Sequence, residues 1–328
     1  MLLIQKALKE VGIGGDIFAR HVRPDPWKGA RLFSEKLIWN CDLLLIHHSQ
    51  GSPWLNRVLG IEVPKALIYH NITPAEYFRH DSYIANLSRL GRAQLLLLQK
   101  EVKRAFGDSK YNLKELEELG FKNPERFPLL DLEHFSISKR KETQAKRFLF
   151  VGKITPHKNQ ALLVKVFFYL RKILPTSPQL CLVGGSDPLY GRYVRLLIQL
   201  LGLQEHVALS GKATNEDLDE HYKYSDAYIS MSLHEGFGVP LVEAMRFGLP
   251  VFALPHAAIP ETLGKAGFRI KGHHPLRIAQ QIAADIQNEE LRRQVLQAQI
   301  QRFKELQKTQ TTPRIQELIQ ETLHAIHT

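Results

Sequence analysis

Two glutamates separated by seven residues carry the clearest chemical signal in the sequence. Glu235 stands before the turn Gly236-Phe237-Gly238, and Glu243 follows Pro240, a residue type that fits the first turn of a helix. Glycines permit a tight turn and a close approach of a ligand to the backbone, and a helix start offers free N–H groups to an anion. Carboxylates accept paired hydrogen bonds from vicinal hydroxyls, such as those of sugars and riboses. We therefore expect this stretch to bind a hydroxyl-rich ligand that carries an anionic group.

Strand-like runs on both sides position this turn and helix. Residues 227–232 come before the turn, and the strand-like residues 251–253 come after Gly248 and Pro250, which mark the end of the helix. In a parallel α/β unit, the ligand lies beyond the carboxyl end of the strand. The order strand, loop, helix, strand therefore puts both glutamates at the edge of a sheet where ligands bind.

Two lysines occupy another turn between a strand and a helix. Lys153 and Lys158 follow the apolar run 148–151 and precede a helical stripe of apolar residues over 161–173, for which Asn159 is the candidate N-cap. A diphosphate requires compact positive charge together with N–H donors. This turn therefore suits the binding of a diphosphate group.

The two stretches together resemble the signature of retaining glycosyltransferases of the GT-B fold, family 4 (glycosyl transferases group 1). The resemblance rests on G-F-G-V-P between the two glutamates, E-A-M from the second glutamate onward and G-L-P-V after them. In that family the first glutamate binds the hydroxyls of the donor sugar and the second binds the nucleotide ribose, which implies those roles for Glu235 and Glu243.

The resemblance also implies which residues bind the donor diphosphate. They are the cations Lys153 and Lys158 and the turn residues Gly236, Phe237 and Gly238. Arginine is commoner than lysine at the first cationic position in the family. Lys153 keeps the positive charge there but lacks the bidentate fork of a guanidinium, so weaker donor binding is expected.

Further site residues are implied at the ends of other strands. The sequence Y-H-N-I-T-P at 69–74 is similar to the family's H-D or H-N segment, whose histidine points across the cleft toward the donor sugar. This implies a catalytic role for His70 alongside Glu235. His47 or His48, which also follow an apolar run, are alternative candidates. The backbone just after Gly211, beside Lys212, is expected to read the nucleotide base.

Strand-like and helix-like segments alternate along the chain, which indicates an α/β fold with parallel sheets. The resemblance implies two Rossmann-like, doubly wound domains facing a cleft. We place the N-terminal, acceptor-side domain at 1–138 and the nucleotide-sugar-binding domain at 146–308, with a polar and basic linker between them. A last helix at 312–328 is expected to pack back on the first domain.

The start of the chain departs from the family's pattern. Residues 1–10 open directly in a helix-like pattern, whereas family members usually begin with a strand and a glycine-rich loop before this helix. The first strand of the N-terminal domain is therefore expected to be missing, so that either the real start lies upstream or another segment compensates. The next segments are predicted as a strand at 16–19, a helix at 30–39, strands at 43–46, 66–69 and 104–108, and a helix at 82–102.

Composition narrows the range of partners. The chain of 328 residues is 44% hydrophobic and 23% charged, and no apolar run reaches the length of a membrane span, so a cytoplasmic location is expected. A formal charge of +11 fits a phosphorylated ligand or an anionic membrane. The basic residues are scattered and show no zinc-finger or RNA-binding signature, which argues against nucleic acid. Peripheral contact with the inner face of an anionic membrane through Arg89, Arg92, Lys100, Lys103 and Arg104 is a separate hypothesis, beside the alternative of solvated helix faces.

Neither the cysteines nor a pair of aspartates indicates a metal site. Cys41 and Cys181 are far apart and each adjoins an apolar run, so we expect buried thiols. Asp217 and Asp219 lie in a helix-like stretch, where residues two apart diverge in direction, and we interpret them as a solvated face. No cofactor is expected.

We therefore expect an enzyme that moves a sugar from a nucleoside-diphosphate sugar to a glycan, lipid-linked or small-molecule acceptor with retention of the anomeric configuration. The resemblance implies that no metal is required and that the acceptor attacks on the leaving-group face. Two alternatives stay open. One is a catalytically weak or inactive nucleotide-sugar-binding subunit, and the other is a different GT-B enzyme, such as an epimerase or a phosphorylase.

Overall fold

The chain divides into two compact units in the computed structural model, which describes residues 1–19, 29–33, 41–133, 135–138 and 146–327. The first unit comprises Met1–His134 together with Leu306–Thr328, and the second comprises Phe135–Glu305. The division therefore falls a few residues before the predicted boundary at 138, and the chain returns to the first unit at Leu306. The predicted linker lies largely outside the described residues.

The first unit begins with a helix and then alternates between strands and helices. In chain order, its elements up to the second unit are α1 (Leu2–Glu10), β1 (Ile17–Ala19), β2 (Ala30–Leu32), β3 (Leu44–His48), α2 (Leu55–Leu59), β4 (Lys65–Tyr69), α3 (Tyr83–Glu101), β5 (Arg104–Gly107), α4 (Lys110–Glu118) and β6 (Glu125–Arg126). β1 and β2 form a two-stranded parallel sheet, whereas β3, β4, β5 and β6 form a four-stranded parallel sheet in that order.

The second unit continues the alternation, and the chain then ends in a helix of the first unit. The elements are β7 (Arg147–Val151), α5 (Gln160–Ile173), β8 (Gln179–Val183), α6 (Pro188–Leu200), β9 (Val207–Gly211), α7 (Asn215–Lys223), β10 (Ala227–Ser230), α8 (Val239–Arg246), β11 (Val251–Ala253), α9 (Ile259–Leu263), β12 (Phe268–Arg269), α10 (Pro275–Gln287), α11 (Glu289–Gln307) and α12 (Thr312–His327).

Both faces of the four-stranded sheet are covered, because alternate residues of a strand point to opposite sides. Ile68 of β4 packs with Ile4 of α1 and Ile315 of α12 on one face. Leu67 of β4 packs with Leu95 of α3 on the other face. This two-sided burial explains why β4 reads as a continuous apolar run in the sequence.

The sheet of the second unit reverses its strand order at one place. Its six parallel strands lie in the order β12-β11-β10-β7-β8-β9. From β7 the chain builds outward through β8 and β9, and it then returns to the other side of β7 to place β10, β11 and β12. The reversal between β7 and β10 is the position where parallel α/β sheets bind ligands at the carboxyl ends of their strands.

Local signals start the helices that follow these strands. Thr214 and Asp217 form a capping box at α7, in which each side chain accepts a hydrogen bond from the other residue's backbone N–H. Asp187 caps α6. Pro240 lies in the first turn of α8, as the sequence predicts. Ser109 caps α4, which accounts for its position before that helix without chemistry. A side-chain cap contributes about 1 kcal/mol to helix stability.

Three expectations from the sequence were wrong in part. Residues 30–32 form strand β2 instead of starting a helix, because β2 pairs in parallel with β1 from Ile17 to Ala19, and a backbone ladder overrides local helical spacing. The rest of that predicted helix, residues 34–39, lies outside the described residues. Asn159 precedes α5 as predicted, but its side chain caps nothing and its backbone is left-handed. Cys181 is a buried thiol, whereas Cys41 is only half-buried.

The predicted α/β class is confirmed, since every strand pairing in the described ranges is parallel. No helix in the same ranges combines the length and the apolar character that crossing a bilayer requires.

Candidate functional site

The loops that follow β7 and β10 meet at the reversal of strand order. The backbone N–H of Leu233, in the loop after β10, donates to the carbonyl of His157, in the loop after β7, at 2.8 Å. The Tyr228 hydroxyl on β10 donates to the Val151 carbonyl on β7 at 3.2 Å. These bonds join the lysine-bearing loop to the glutamate-bearing loop, so the two sequence signals belong to one site.

Lys158 and Glu235 form an ion pair within that site. Lys158 Nζ lies 2.6 Å from Glu235 Oε1, and the two side chains are only 18% and 15% exposed. At this distance the contact is a charge-assisted hydrogen bond. An ammonium has three donors and a carboxylate has two acceptor oxygens, so each group retains capacity for a ligand while the pair is formed.

Lys153, the other predicted diphosphate lysine, has a different environment. Its side chain is exposed and makes no ion pair with any residue that the structure describes. Its backbone is held closely, because the N–H of Ile154 donates to Gly185 and the N–H of Gly152 donates to Val183. The loop position of Lys153 is therefore fixed while its ammonium stays in solvent.

Close backbone contact sets the position of the Lys153 loop. At Gly184, which has φ 145°, an added Cβ would lie 2.1 Å from the carbonyl oxygen of Gly152. Only glycine allows the loops after β7 and β8 to approach this closely.

The lysine-bearing loop produces a positive local field. The pKa of His157 is lowered to about 3, mainly by burial and then by the charges of Lys158, His234 and Lys153. The imidazole is therefore neutral at physiological pH, chiefly because it is buried, and the charges of the two lysines beside it favour an anion in the same place.

The turn between the two glutamates combines a special backbone with a buried anchor. Gly238 adopts φ 87°, and an added Cβ there would lie 2.8 Å from Leu241 Cδ1. Phe237 is buried, and its carbonyl accepts a hydrogen bond from the Thr262 hydroxyl. Gly236 lies between Glu235 and this anchor and is half-buried. The turn is thus fixed by the buried Phe237 and leads directly into the first turn of α8.

Glu243, on α8, is oriented by one side-chain donor. The Tyr222 hydroxyl of α7 donates to Glu243 Oε2 at 2.7 Å. Burial raises the pKa of Glu243 and Asp219 raises it further, whereas the hydrogen bond from Tyr222 and the charge of Arg246 lower it. Glu243 therefore lies in a largely desolvated environment in which its ionised form depends on these partners.

Both glutamates lie near the same buried tyrosine. The pKa of Tyr228 is raised well above its ordinary value, mainly by burial and also by Glu235 and Glu243. Its ring stacks on Tyr222 and Phe150, with centroids 6.4 Å apart in each pair. An aromatic layer on β7, β10 and α7 therefore lies beside the two carboxylates.

Gly211 and Lys212 lie at the carboxyl end of β9, where the N–H of Gly184 donates to the Gly211 carbonyl at 2.7 Å. Gly211 has φ 70°, and no heavy atom lies within 4 Å of an added Cβ. The stem of Lys212 packs against Gly185, while most of its side chain is exposed. The loop after β9 is thus next to the loop after β8, and its backbone is open to solvent.

His70 belongs to the first unit, whereas the other predicted site residues belong to the second. Its Nδ1 lies 3.1 Å from both oxygens of Asp108, and its Nε2 lies 2.7 Å from Nδ1 of His47. An ionised carboxylate only accepts, so a neutral His70 donates from Nδ1 to Asp108 and accepts at Nε2 from His47. Both ring nitrogens of His70 are therefore engaged within the protein.

Three adjacent parallel strands produce this chain of side chains. His47 lies in β3, His70 directly follows β4, and Asp108 directly follows β5. The pKa of His47 is lowered to about 3 by burial, by His70 and by the N-terminal amine. His48, the neighbouring candidate, bonds the Gly91 carbonyl through Nε2 and lies on the opposite side of the strand from His47.

Metal-binding clusters of three or more His, Cys, Asp or Glu side chains do not occur among the residues that the structure describes. The interpretation of Asp217 and Asp219 as a solvated face was wrong in part. Asp217 belongs to the capping box of α7, and half-buried Asp219 lies close enough to Glu243 to raise its pKa.

Sequence reasoning missed two residues of the site and one of the histidine cluster. Tyr222, Tyr228 and Asp108 are all buried, and none carries a short-range motif. Asp108 could have been found from its position directly after the carboxyl end of a strand, and Tyr228 from its place in the strand that precedes the glutamate-bearing turn. Tyr222 gives a weaker signal, as the buried aromatic residue of an otherwise polar helix.

A parallel sheet with a reversal of strand order, and with acidic and basic groups paired beside that reversal, is typical of α/β proteins that bind a ligand at this edge. Solved structures place it among the GT-B glycosyltransferase folds. Sucrose-phosphate synthase from Thermosynechococcus elongatus superposes with a TM-score of 0.75 at 17% identity, over 99% of this chain and 92% of that chain. Anabaena HepE in complex with UDP and glucose superposes with a TM-score of 0.70 at 18% identity, over 89% of this chain and 80% of that chain.

The chain belongs to the family of glycosyl transferases group 1, whose model matches residues 133–302, just over half of its length. Mannosylfructose-phosphate synthase of Agrobacterium fabrum is 30% identical over 146 residues, which is 43% of this chain and 32% of that protein. A GDP-mannose-dependent alpha-(1-6)-phosphatidylinositol monomannoside mannosyltransferase of Mycolicibacterium smegmatis is 29% identical over 37% of this chain and 34% of that protein. The alignments thus span about a third of the length of these curated relatives.

Proposed function

We propose that this protein transfers a sugar from a nucleoside-diphosphate sugar to an acceptor with retention of the anomeric configuration. The ion pair between Lys158 and Glu235, at the reversal of strand order, is the observation that carries the proposal. It combines a donor for phosphate oxygens with an acceptor for sugar hydroxyls within 2.6 Å. A donor sugar attached to a diphosphate presents these two chemical groups side by side.

Lys158 and Glu235 would act together on the bound donor. Two free ammonium protons of Lys158 would point to diphosphate oxygens, while Glu235 Oε1 keeps the third. Glu235 Oε2 would accept from a hydroxyl of the sugar. The N-terminal N–H groups of α8 and the charge of Lys153 would stabilise the negative charge that develops as the nucleoside diphosphate leaves.

The nucleoside would extend from this pair toward Glu243 and the loop after β9. Glu243 accepts a hydrogen bond from Tyr222 through one oxygen only, which favours the other oxygen as the acceptor for ribose hydroxyls. The open backbone at Gly211 and Lys212 would face the base. The names of the relatives include both UDP and GDP-mannose, so the base is left to experiment.

The acceptor is proposed to be a glycan, a lipid-linked sugar or a small molecule, and the reaction is proposed to require no metal. The first unit would supply the acceptor side, with His70 held by His47 and Asp108. Full activity in the presence of EDTA would support metal independence, and its loss would contradict it.

We propose peripheral contact with an anionic membrane through α3, with fewer cations than the sequence suggested. Arg92 pairs with Glu115, and Arg104 bonds Glu125, so these two arginines are engaged within the protein. The exposed side chains of α3 include Leu96 at 53% and Leu97 at 43%.

Arg89 and Lys100 are also exposed on α3. Apolar groups beside cations suit the surface of a bilayer. Binding to vesicles rich in phosphatidylserine that weakens with salt, and with Arg89→Ser and Lys100→Ser together, would support this contact. Absent or salt-insensitive binding would contradict it.

The nucleotide site is tested first by thermal stabilisation with UDP, GDP, ADP and dTDP. A ligand at 100 times its Kd that binds only the folded state adds about 2.7 kcal/mol of stability. We expect one nucleotide to raise the midpoint, and Glu243→Ala to abolish the effect. Lys165→Ala is the control, since Lys165 is an exposed lysine of α5.

The nucleotide that binds then identifies the sugar donors to be tested for transfer. A new glycosidic bond with the donor's anomeric configuration, followed by NMR, would support the proposal. Nucleotide binding without turnover would favour a nucleotide-sugar-binding subunit. An isomerised nucleotide sugar or a released sugar phosphate would favour an epimerase or a phosphorylase. The absence of stabilisation by all four nucleotides would contradict the proposed donor.

A further inference from the structure

We propose that Tyr222 is a positioning residue of the nucleotide site, whose hydroxyl holds the Glu243 carboxylate in the orientation that reads a ribose. The inference rests on the proposed function and adds to it a residue outside every motif of the sequence. Tyr222 would act through Glu243 and would not touch the nucleotide itself.

The geometry gives the two oxygens of Glu243 different environments. Tyr222 Oη donates to Oε2 at 2.7 Å and lies 3.4 Å from the Pro240 carbonyl. In the part of the chain that the structure describes, no side chain donates to Oε1. One oxygen thus has a side-chain donor in the protein, and the other is left to accept from a hydroxyl of a ligand.

Packing alone does not explain the hydroxyl of Tyr222. The ring is the buried side chain of α7 and stacks on Phe247 with centroids 5.2 Å apart and planes 2° apart. A phenylalanine would fill the same space, and a buried hydroxyl without a partner costs free energy. The hydroxyl is therefore best explained by its hydrogen bond to Glu243.

Tyr222 also connects two parts of the proposed nucleotide site. It belongs to α7, which begins at the capping box a few residues after Gly211 and Lys212. Glu243 belongs to α8. The hydrogen bond between them therefore ties the helix that follows the base-side loop to the carboxylate on the ribose side.

The charges around Glu243 make its ionisation sensitive to this bond. Asp219 of α7 disfavours the carboxylate, whereas Arg246 of α8 and the Tyr222 hydroxyl favour it, and Tyr228 of β10 lies near it as a neutral phenol. Removing the hydroxyl would raise the pKa of Glu243 further. The acid limb of nucleotide binding should then move to higher pH, because a protonated carboxyl loses acceptor capacity.

The experiment compares the binding of UDP, GDP and ADP with that of their 2′-deoxy counterparts by calorimetry. We expect the wild type to prefer the ribonucleotide by about 10-fold or more, as for hydrogen bonds to a charged group. Tyr222→Phe should reduce this preference by roughly 3- to 10-fold, the contribution of a single orienting hydrogen bond. In a Glu243→Gln background, Tyr222→Phe should change the preference little further.

Two controls separate orientation from packing. Tyr193→Phe removes an exposed hydroxyl of α6 and should change nothing. Phe247→Leu disturbs the aromatic stack but keeps the Tyr222 hydroxyl, so it should lower the melting midpoint and keep the ribose preference.

The outcomes distinguish this inference from the proposed function. If the wild type binds no nucleotide, the proposed function fails and this inference fails with it. If the wild type prefers the ribonucleotide and Tyr222→Phe keeps both that preference and the pH profile, the inference is overturned while the proposed function stands. A loss of preference in Phe247→Leu equal to that in Tyr222→Phe would also overturn it, since packing would then account for the effect.

Discussion

Each unit has a cluster of polar side chains at the ends of its strands, but the described strands form one sheet in the second unit and two sheets in the first. In the second unit, six strands form one parallel sheet, and Lys158 and Glu235 come from the loops that flank its reversal of order. In the first unit, the described strands form separate sheets of two and four, and His47, His70 and Asp108 line the ends of three adjacent strands.

The chemistry of the two centres differs accordingly. The second unit holds opposite charges in contact, which suits a ligand that carries both an anion and hydroxyls. The first unit holds imidazoles in a hydrogen-bonded chain, which suits neutral hydrogen bonding and is sensitive to acid.

The largest effect is expected where the second unit's loops touch. Gly184→Ala would place a Cβ 2.1 Å from the Gly152 carbonyl at a positive φ. The free energy of unfolding, measured with urea, should fall by roughly 2–5 kcal/mol from strain and overlap together. Gly211→Ala, with φ 70° and open space, should lose only about 1–2 kcal/mol. Equal losses in both variants would show that the contact between the loops carries no stability.

The next effect concerns the two lysines of the second unit. Lys158→Ala removes the cation of the ion pair at the reversal of strand order. We expect nucleoside-diphosphate affinity to fall about 10- to 100-fold. Lys153→Ala removes an exposed charge and should weaken binding about fivefold or less. Calorimetric titration measures both. A larger loss for Lys153→Ala would mean that the diphosphate binds at the exposed lysine instead.

A third prediction separates the two units functionally. Asp108→Asn removes the carboxylate that accepts from His70 Nδ1, so His70 can adopt the wrong tautomer or orientation. We expect the transfer rate to fall on the order of 10- to 100-fold through misplacement, while nucleotide affinity stays unchanged. Steady-state rates and calorimetry measure the two quantities. A matching loss of nucleotide affinity would place the histidine chain in the nucleotide site.

The smallest effect is the acid sensitivity of His47. Its pKa is about 3 in the folded chain, well below the ordinary 6.5, mainly because of burial. Below pH 6.5 the unfolded chain binds a proton that the folded chain does not, so stability falls as pH decreases toward 3. When the pH falls from 7.5 to 5.0, the free energy of unfolding, measured with urea, should decrease in the wild type. The decrease should be up to about 2 kcal/mol smaller in His47→Gln.

His157 of the second unit has the same lowered pKa and provides the comparison. Burial and the neighbouring lysines both lower this pKa, so His157→Gln should reduce the loss of stability in acid to a similar degree. If neither variant differs from the wild type, the two imidazoles already bind protons in the folded state.

Much of the fold could be predicted because apolar residues recur at regular spacing in the long helices and strands. The strand at 251–253 has the predicted bounds, and α12 begins at the predicted residue. β2 was misassigned because three residues carry too little periodicity to outweigh pairing with β1, the strand that precedes it. Lys158 and Glu235 were predicted as ligand residues from a family pattern, but their contact with each other could not be read from residues 77 positions apart.

The sequence alone determined which residue types occupy the turns after each strand, because glycine, proline and capping residues act over only a few positions. It therefore indicated the α/β class, the glycine turn before α8 and the two glutamates. The tertiary structure decided what each of these side chains touches. Tyr222 reaches Glu243 and Asp108 reaches His70 across separate elements. Such contacts depend on how sheets and helices pack, and packing joins residues that carry no mutual signal along the chain.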